Sequence, residues 1–241
     1  MTRMFVYGKG FLAKALRKLK NNNKFNNFCF YASGISNSKI KSNTELIREK
    51  KKIKSFLRFY SSNKTLVYIS TISIFDVSMK HTDYVKNKLF IENFLKSKVK
   101  KLLILRLPQI AGKSNNEYTI LNHIYKKIKK KETLVIWKNV ERSIIGIDDL
   151  LKVLKVILKK NFYISLNEIN IVNPNLIKVL DIVKIFEKLL KLKATYNLIT
   201  LKNYKQSFYN LLIKKNIYQK EINKICKKKN YVKKTIFKYF R

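Results

Sequence analysis

Apolar residues come in short, dense runs along this chain, separated by polar stretches dominated by lysine and asparagine. Residues 4–7 (MFVY) read as a short buried strand, followed by a helical stretch, AKALRKLK. FCFYASGISNS (28–38) predicts a second strand over 28–32, reached after only a lysine/asparagine linker. TLVYISTISIFD (65–76) is a β-branched run that ends in hydroxyl residues. HTDYVKNKLFIENFL then carries a helical period, and KLLILRLPQIAG (101–112) is another buried strand running into a Pro/Gly loop. Strand, helix and strand at this spacing make a βαβ unit of a parallel sheet, in which ligands bind at the carboxyl ends of the strands. Ser70, Thr71, Pro108 and Gly112 all belong to that edge.

Beyond residue 113 the pattern changes. NNEYTILNHIYKKIKKK predicts a helix, ETLVIWKNVERSIIGI two short strands, and DDLLKVLKVILKK a helix with leucine and valine at helical spacing. Asp148 and Asp149 open that helix, where carboxylates cap free N–H groups and favour the dipole, so they read as caps rather than a catalytic pair. NEINIVNPN is a strand and turn, LIKVLDIVKIFEKLLKL an amphipathic helix, and 201–241 a very basic helical stretch. The expected division is a core over 1–113, a smaller lobe over 114–200 and an extension over 201–241. The chain's 241 residues can bury a full core.

Two short patterns carry chemistry. Gly8-Lys9-Gly10-Phe11-Leu12-Ala13 sits between the first strand and the first helix, the setting in which Gly-x-Gly-x-x-Gly/Ala cradles a pyrophosphate at a helix N-terminus. The chain has only 5 glycines, so two in one turn carry weight against a plain strand-to-helix turn. The second pattern is Tyr84-x-x-x-Lys88, which a helix places on one face, with Cβ atoms about 5–6 Å apart. A phenol with a pKa of about 10 takes a proton at neutral pH only if its phenolate is stabilised. An adjacent ammonium does that, making Tyr84 a usable acid/base for a carbonyl/alcohol couple. With 14 tyrosines and 54 Lys+Arg the spacing recurs by chance, and Tyr125 to Lys129 repeats it. Context has to separate them.

The context resembles a known family. VYGKGFLAKAL, LVYISTISIFD, YVKNKLFIENFL, LLILRLPQIAGK, ERSIIGIDDLLKVL and EINIVNPNLIKVLDIVKIFEKLLKLKA come in the order seen in the extended short-chain dehydrogenase/reductases, in their NAD-dependent epimerase/dehydratase branch acting on nucleotide sugars. The resemblance reaches from residue 4 to about 196. It implies NAD or NADP held by Gly8, Gly10, Phe11, Leu12, Ala32, Ser33, Gly34, Lys88 and Pro108. It implies catalysis by Thr71, Tyr84 and Lys88, with Lys88 also on the nicotinamide ribose. Ser70 and Thr71 would meet the nucleotide-sugar substrate. Arg142 aligns with an arginine that often contacts the substrate diphosphate, against the plain reading of a surface charge. A homodimer is an assembly the resemblance admits.

Against this family the chain is short. Ala32-Ser33-Gly34 looks like the small-residue motif that normally ends a later strand, so the second and third strands are missing. The expected fold class is therefore α/β, a reduced Rossmann-like parallel sheet with a small C-terminal α+β substrate lobe and the strand at 28–32 directly beside 4–7. The acidic residue that binds the adenosine ribose is missing too, since 21–40 contains no Asp or Glu; NAD and NADP stay undistinguished. The segment 76–80 is also shorter than the substrate loops of the family.

Charge changes the picture little. The formal net charge is +40 and the pI about 10.2, which by itself suggests polyanions. The lysines are spread over most helices, Gly and Pro are rare, and Asn and Ile abound, as an A+T-rich genome would give. Specific nucleic-acid recognition is not expected. No apolar run reaches the roughly 18 residues that span a membrane, and MTRMFVYG enters a strand directly rather than a signal peptide, so a cytoplasmic protein is expected. Cys29 and Cys226 read as free thiols, Trp137 as core, and His81 and His123 lack partners at metal-ligand spacing. Two functions stay open beside a weaker polyanion-binding one. The first is an NAD(P)-dependent oxidoreductase or epimerase on a nucleotide-activated sugar for surface polysaccharide. The second is a Rossmann-like dinucleotide-binding or scaffold module without turnover.

Overall fold

The structure is a computed structural model and describes residues 3–20, 23–38, 40, 43–114, 116–160, 168–200 and 207–241. In chain order its elements are β1 (Phe5–Tyr7), α1 (Phe11–Arg17), β2 (Phe28–Tyr31), α2 (Asn43–Phe59), β3 (Thr65–Thr71), α3 (Asp83–Lys98), β4 (Leu102–Leu107) and β5 (Gln109–Ala111). There follow α4 (Ile120–Lys129), β6 (Leu134–Trp137), β7 (Glu141–Arg142), β8 (Ile144–Gly146), α5 (Ile147–Lys159), β9 (Glu168–Asn170) and β10 (Ile177–Lys178). The chain ends with α6 (Val179–Leu190), β11 (Tyr196–Ile199), α7 (Ser207–Lys215), α8 (Gln219–Cys226) and α9 (Tyr231–Phe240).

Two compact units form: Met1–Phe75, Met79–Leu107 and Leu151–Ile171 make one; Asp76–Ser78, Pro108–Leu150 and Val172–Arg241 make the other. The expected segments ran end to end with breaks near 113 and 200, whereas the units interleave. α5 leads back into the first unit, where β9 joins the sheet, and the described residues 207–241 are part of the second unit rather than a separate extension.

The first unit is a parallel sheet of five strands in the order β1-β2-β3-β4-β9. The expectation of a reduced Rossmann-like sheet holds: β2 pairs directly with β1, Phe5 opposite Cys29 and Tyr7 opposite Tyr31. The reason is chain length. A parallel crossover consumes about a dozen residues or more, and the stretch between β1 and β2 holds one crossover, built on the 7-residue α1. Among the described residues of 20–62, β2 is the only strand.

The inner strands β2, β3 and β4 are rich in apolar residues that face both sides of the sheet, and every residue of β2 and β4 is buried. One face packs Cys29, Tyr31, Leu66, Tyr68 and Ile104 against Ile53 and Phe56 of α2 and Ile91 and Leu95 of α3. Alternation turns Phe28, Phe30, Val67 and Leu103 to the other face, where all are buried.

Among the described residues no strand lies on the outer side of β1, so it is an edge, and exposed edges invite pairing with other chains. The Tyr7 carbonyl accepts from the Ala32 N–H at 2.8 Å, so by alternation the Val6 and Gly8 carbonyls face outward. Arg17, in the last turn of α1, donates Nη2 to both. One side chain thus satisfies acceptors that another strand would otherwise pair.

The second unit joins three two-stranded sheets (β5 with β8, β6 with β11, β7 with β10) to helices α4, α6 and α9. Tyr125, Phe186 and Phe240 meet at ring-centroid distances of 5.1–5.8 Å. Asp148 and Asp149 stand inside the first turn of α5, after Ile147, where carboxylates favour the helix dipole. They also accept from α9: Tyr231 Oη donates to Asp149 Oδ2 and Tyr239 Oη to Asp148 Oδ2, each at 2.9 Å.

Candidate active site

Gly8 follows β1 with φ +132°, and a Cβ there would lie 2.4 Å from the Ala32 carbonyl oxygen. Only glycine fits, because the turn after β1 and the Ala32-Ser33-Gly34 segment after β2 touch. Two motifs read separately in the sequence are therefore one structural element. Gly10 differs. It caps α1 without a side-chain hydrogen bond, and a Cβ there would meet nothing within 4 Å. The fold leaves that space open before Phe11 and Leu12, while Ala13 is fully buried where small size lets the helix approach the sheet. An open space over a glycine turn, bordered by free helical N–H groups, fits a dinucleotide pyrophosphate.

Thr71 closes β3 at the same carboxyl edge. Its Oγ1 donates to Ser73 Oγ at 3.0 Å and accepts from the Ser73 N–H at 3.1 Å. α3 starts at Thr82, whose hydroxyl accepts from the Val85 N–H at 3.3 Å, a local reason for the helix to begin there. Tyr84, half-buried, lies in its first turn, and Lys88 lies one turn on with 3% exposure. Lys88 Nζ stands 5.8 Å from the Tyr84 ring centroid and 5.6 Å from that of Tyr68.

Lys88 has a partner the sequence reading missed. Glu49 of α2, 3% exposed, accepts from Lys88 Nζ at 3.0 Å and, through its other oxygen, from Asn87 Nδ2 at 2.7 Å. Burial works against the Lys88 charge, but Tyr68, Glu49 and Tyr84 outweigh it and raise its pKa, so the ammonium persists. Burial also pushes the Tyr68 and Tyr31 phenols up, with Glu49 adding to the effect. Gly34 belongs to this cluster: a Cβ there would come 2.4 Å from Lys88 Nζ and 2.7 Å from Glu49 Oε1. A signal for Glu49 did exist. In a helix otherwise rich in lysine, Glu49 shares a face with Ile53 and Phe56, the residues α2 buries.

Ser70 points elsewhere than its neighbour. Its Oγ donates to Glu92 Oε1 at 2.5 Å, in a network where Arg106 also binds Glu92 and Arg106 Nη1 lies 2.5 Å from Glu168. Burial opposes both charges, yet hydrogen bonding and charge pairing hold the Arg106 pKa up, and Lys96 with Arg106 holds the Glu168 carboxyl down. This network ties β3, β4, β9 and α3 together, and the Ser70 hydroxyl is used within it.

Pro108 and Arg142 belong to the second unit. Arg142 is no surface charge: it is 9% exposed, with Nη1 3.0 Å from Asp76 Oδ2 and 3.1 Å from the Glu141 carbonyl. Asp76 is held in turn by Ser78, at 2.9 Å from its N–H and 2.6 Å from its hydroxyl. The short segment 76–78 is thereby fastened to the arginine. Among the described residues no cluster of His, Cys, Asp or Glu could hold a metal ion, and no helix is long and apolar enough to cross a membrane.

No protein-family model matches the sequence, and no curated protein matches it significantly. Solved structures do. A dTDP-4-dehydrorhamnose reductase from Clostridium acetobutylicum superimposes with a TM-score of 0.69 at 18% identity, over 100% of this chain and 98% of that one. The chain shares the fold of that reductase, a Rossmann-like parallel sheet with flanking helices. RMD from Pseudomonas aeruginosa, complexed with NADPH, gives a TM-score of 0.61 at 12% identity, covering 98% and 97%. A UDP-glucuronic acid 4-epimerase mutant from Bacillus cereus, bound to NAD and a fluorinated UDP-sugar, gives 0.57 at 18%, covering 72% of this chain and 62% of its own. The chain thus spans less than two thirds of that epimerase.

Proposed function

We propose that the protein is an NAD(P)-dependent oxidoreductase or epimerase acting on a nucleotide-activated sugar, in the synthesis of a surface polysaccharide. The observation that carries this reading is the shared edge of one unit: Gly8 against Ala32, Thr71 at the end of β3, and Tyr84 over a buried, charged Lys88 on the next helix. Structural likeness to proteins crystallised with NAD, NADPH and a UDP-sugar supports it.

In this reading Gly8, Gly10 and the start of α1 hold the dinucleotide pyrophosphate, and Ala32 to Gly34 line its path. When bound, the nicotinamide supplies the hydride acceptor or donor. Tyr84 takes the proton from the reacting sugar hydroxyl while Thr71 hydrogen-bonds the same oxygen. The Lys88 ammonium stabilises the phenolate, and Glu49 with Asn87 keeps that ammonium in place. A dehydratase is disfavoured, because Thr71 is followed by Ile72 and Ser73 rather than by a carboxylate. Arg142, steadied by Asp76, is proposed for the substrate diphosphate.

One observation favours the second reading, a dinucleotide-binding module without turnover. Glu49 already occupies the ammonium that would otherwise reach the nicotinamide ribose. The deciding experiment follows hydride transfer and sugar epimerisation over a panel of UDP-, GDP- and dTDP-sugars. Turnover that collapses in Tyr84→Phe supports the enzyme. Dinucleotide binding with no turnover of any sugar supports the module.

A further inference from the structure

The geometry points to a preference for the 2′-phosphorylated dinucleotide, NADP(H), with Arg17 as the residue that sets it. This rests on the cofactor reading above. In dinucleotide-binding sheets the strand beside β1 ends in an Asp or Glu that accepts from the adenosine ribose 2′-hydroxyl, whereas a nearby arginine accommodates a 2′-phosphate. Here no strand lies on that side of β1 among the described residues, and no Asp or Glu precedes Glu45 in the chain. The ribose acceptor is lost with the strand.

A cation stands in the vacated place. Arg17 donates Nη2 to the outward carbonyls of Val6 and Gly8, the groups that a neighbouring strand would pair. Gly8 is the first glycine of the dinucleotide turn, so the guanidinium is anchored beside that turn at the edge where the ribose acid would end its strand. Among the described residues its hydrogen bonds come from Nη2, and a guanidinium carries five N–H donors in a rigid fork matched to phosphate. Exposed Lys14 and Lys18 flank it on α1 with the same sign. A 2′-hydroxyl has lost the strand-end carboxylate that would accept from it, and a 2′-phosphate finds a fixed fork.

The test is titration of the full chain with NADPH and with NADH, followed by nicotinamide fluorescence and without any sugar. NADPH is expected to bind about tenfold tighter or more, the scale of charge-assisted hydrogen bonds to phosphate. Arg17→Leu should erase most of that ratio while leaving NADH within about threefold, and Arg17→Lys should restore part of it. Because Arg17 also caps the edge of β1, a variant that fails to fold is replaced by competition on the unaltered protein. Adenosine 2′,5′-bisphosphate should then displace NADPH at least tenfold better than AMP. Equal affinity for the two dinucleotides, or tighter NADH, overturns the inference and leaves the cofactor reading standing. Binding of neither overturns both.

Discussion

Tyr84 with Lys88 and Tyr125 with Lys129 have the same spacing, each on a helix, and each lysine lies at nearly the same distance from its tyrosine ring, 5.8 and 5.5 Å. The helical repeat delivers that much in either unit. Beyond it the two pairs share nothing. Lys88 is buried and bonded to Glu49, beside Gly34, where a Cβ would meet both side chains, on the helix that follows the hydroxyl-ended β3. Lys129 is exposed, and Tyr125 packs against Phe186 and Phe240. A cation in water does little for a phenolate, whereas one held in a buried cluster is screened far less. The chemistry therefore depends on where the helix face lands.

Removing one hydroxyl from each pair should separate them most. Tyr84→Phe should lower kcat by about 10²–10⁴-fold, the worth of a positioned proton-transfer group, with dinucleotide affinity nearly unchanged. Tyr125→Phe should leave kcat unchanged. Equal activity in the Tyr84 variant and the parent protein would end the proposed role.

Stability separates the lysines' surroundings next. Glu49→Ala leaves the Lys88 ammonium buried and alone, which should cost about 3–5 kcal/mol in urea unfolding. Lys129→Ala, on a solvated face, should change stability by less than about 0.5 kcal/mol. Replacing both charges at once, Glu49→Leu with Lys88→Met, should recover much of the loss while abolishing turnover. That result would show the pair to be kept for chemistry rather than for stability.

The glycines grade the same site. Gly8→Ala meets both a positive φ and the Ala32 carbonyl, and should cost about 1–3 kcal/mol or more. Gly34→Ala, which must displace Lys88 or Glu49, should cost about 1–3 kcal/mol and lower kcat as well. Gly10→Ala meets no atom of the chain, so thermal unfolding should shift by less than about 1 kcal/mol while dinucleotide affinity falls.

The smallest effect is a pH dependence from the network used by Ser70. The Glu168 carboxyl is held low in the folded protein by Lys96 and Arg106. Its contribution is therefore present above the ordinary carboxylate pKa of about 4.3 and is lost as pH falls through the lower folded value. Unfolding followed from pH 6 down to 3 should show that loss, and Glu168→Gln should flatten it. An unchanged profile in that variant would assign the acid sensitivity to other carboxylates.

Local order in the sequence determined a good deal of this protein. Apolar runs of strand and helix length placed β1 to β4, and the short linker after α1 required β2 to lie beside β1. Helical spacing put Tyr84 and Lys88 on one face, and Asp148 and Asp149 at the start of a helix. These features depend on residues a few positions apart, whose geometry the backbone period settles. Contacts between distant segments were decided only by tertiary packing. Glu49 meets Lys88 from 39 residues away, and the Ser70 hydroxyl turns to Glu92 because successive strand residues face opposite sides of the sheet. α5 carries the chain back from one unit to the other, which no periodicity encodes. Arg17 caps β1 because no strand among the described residues covers those carbonyls, and buried or edge backbone groups must find donors wherever the fold supplies them.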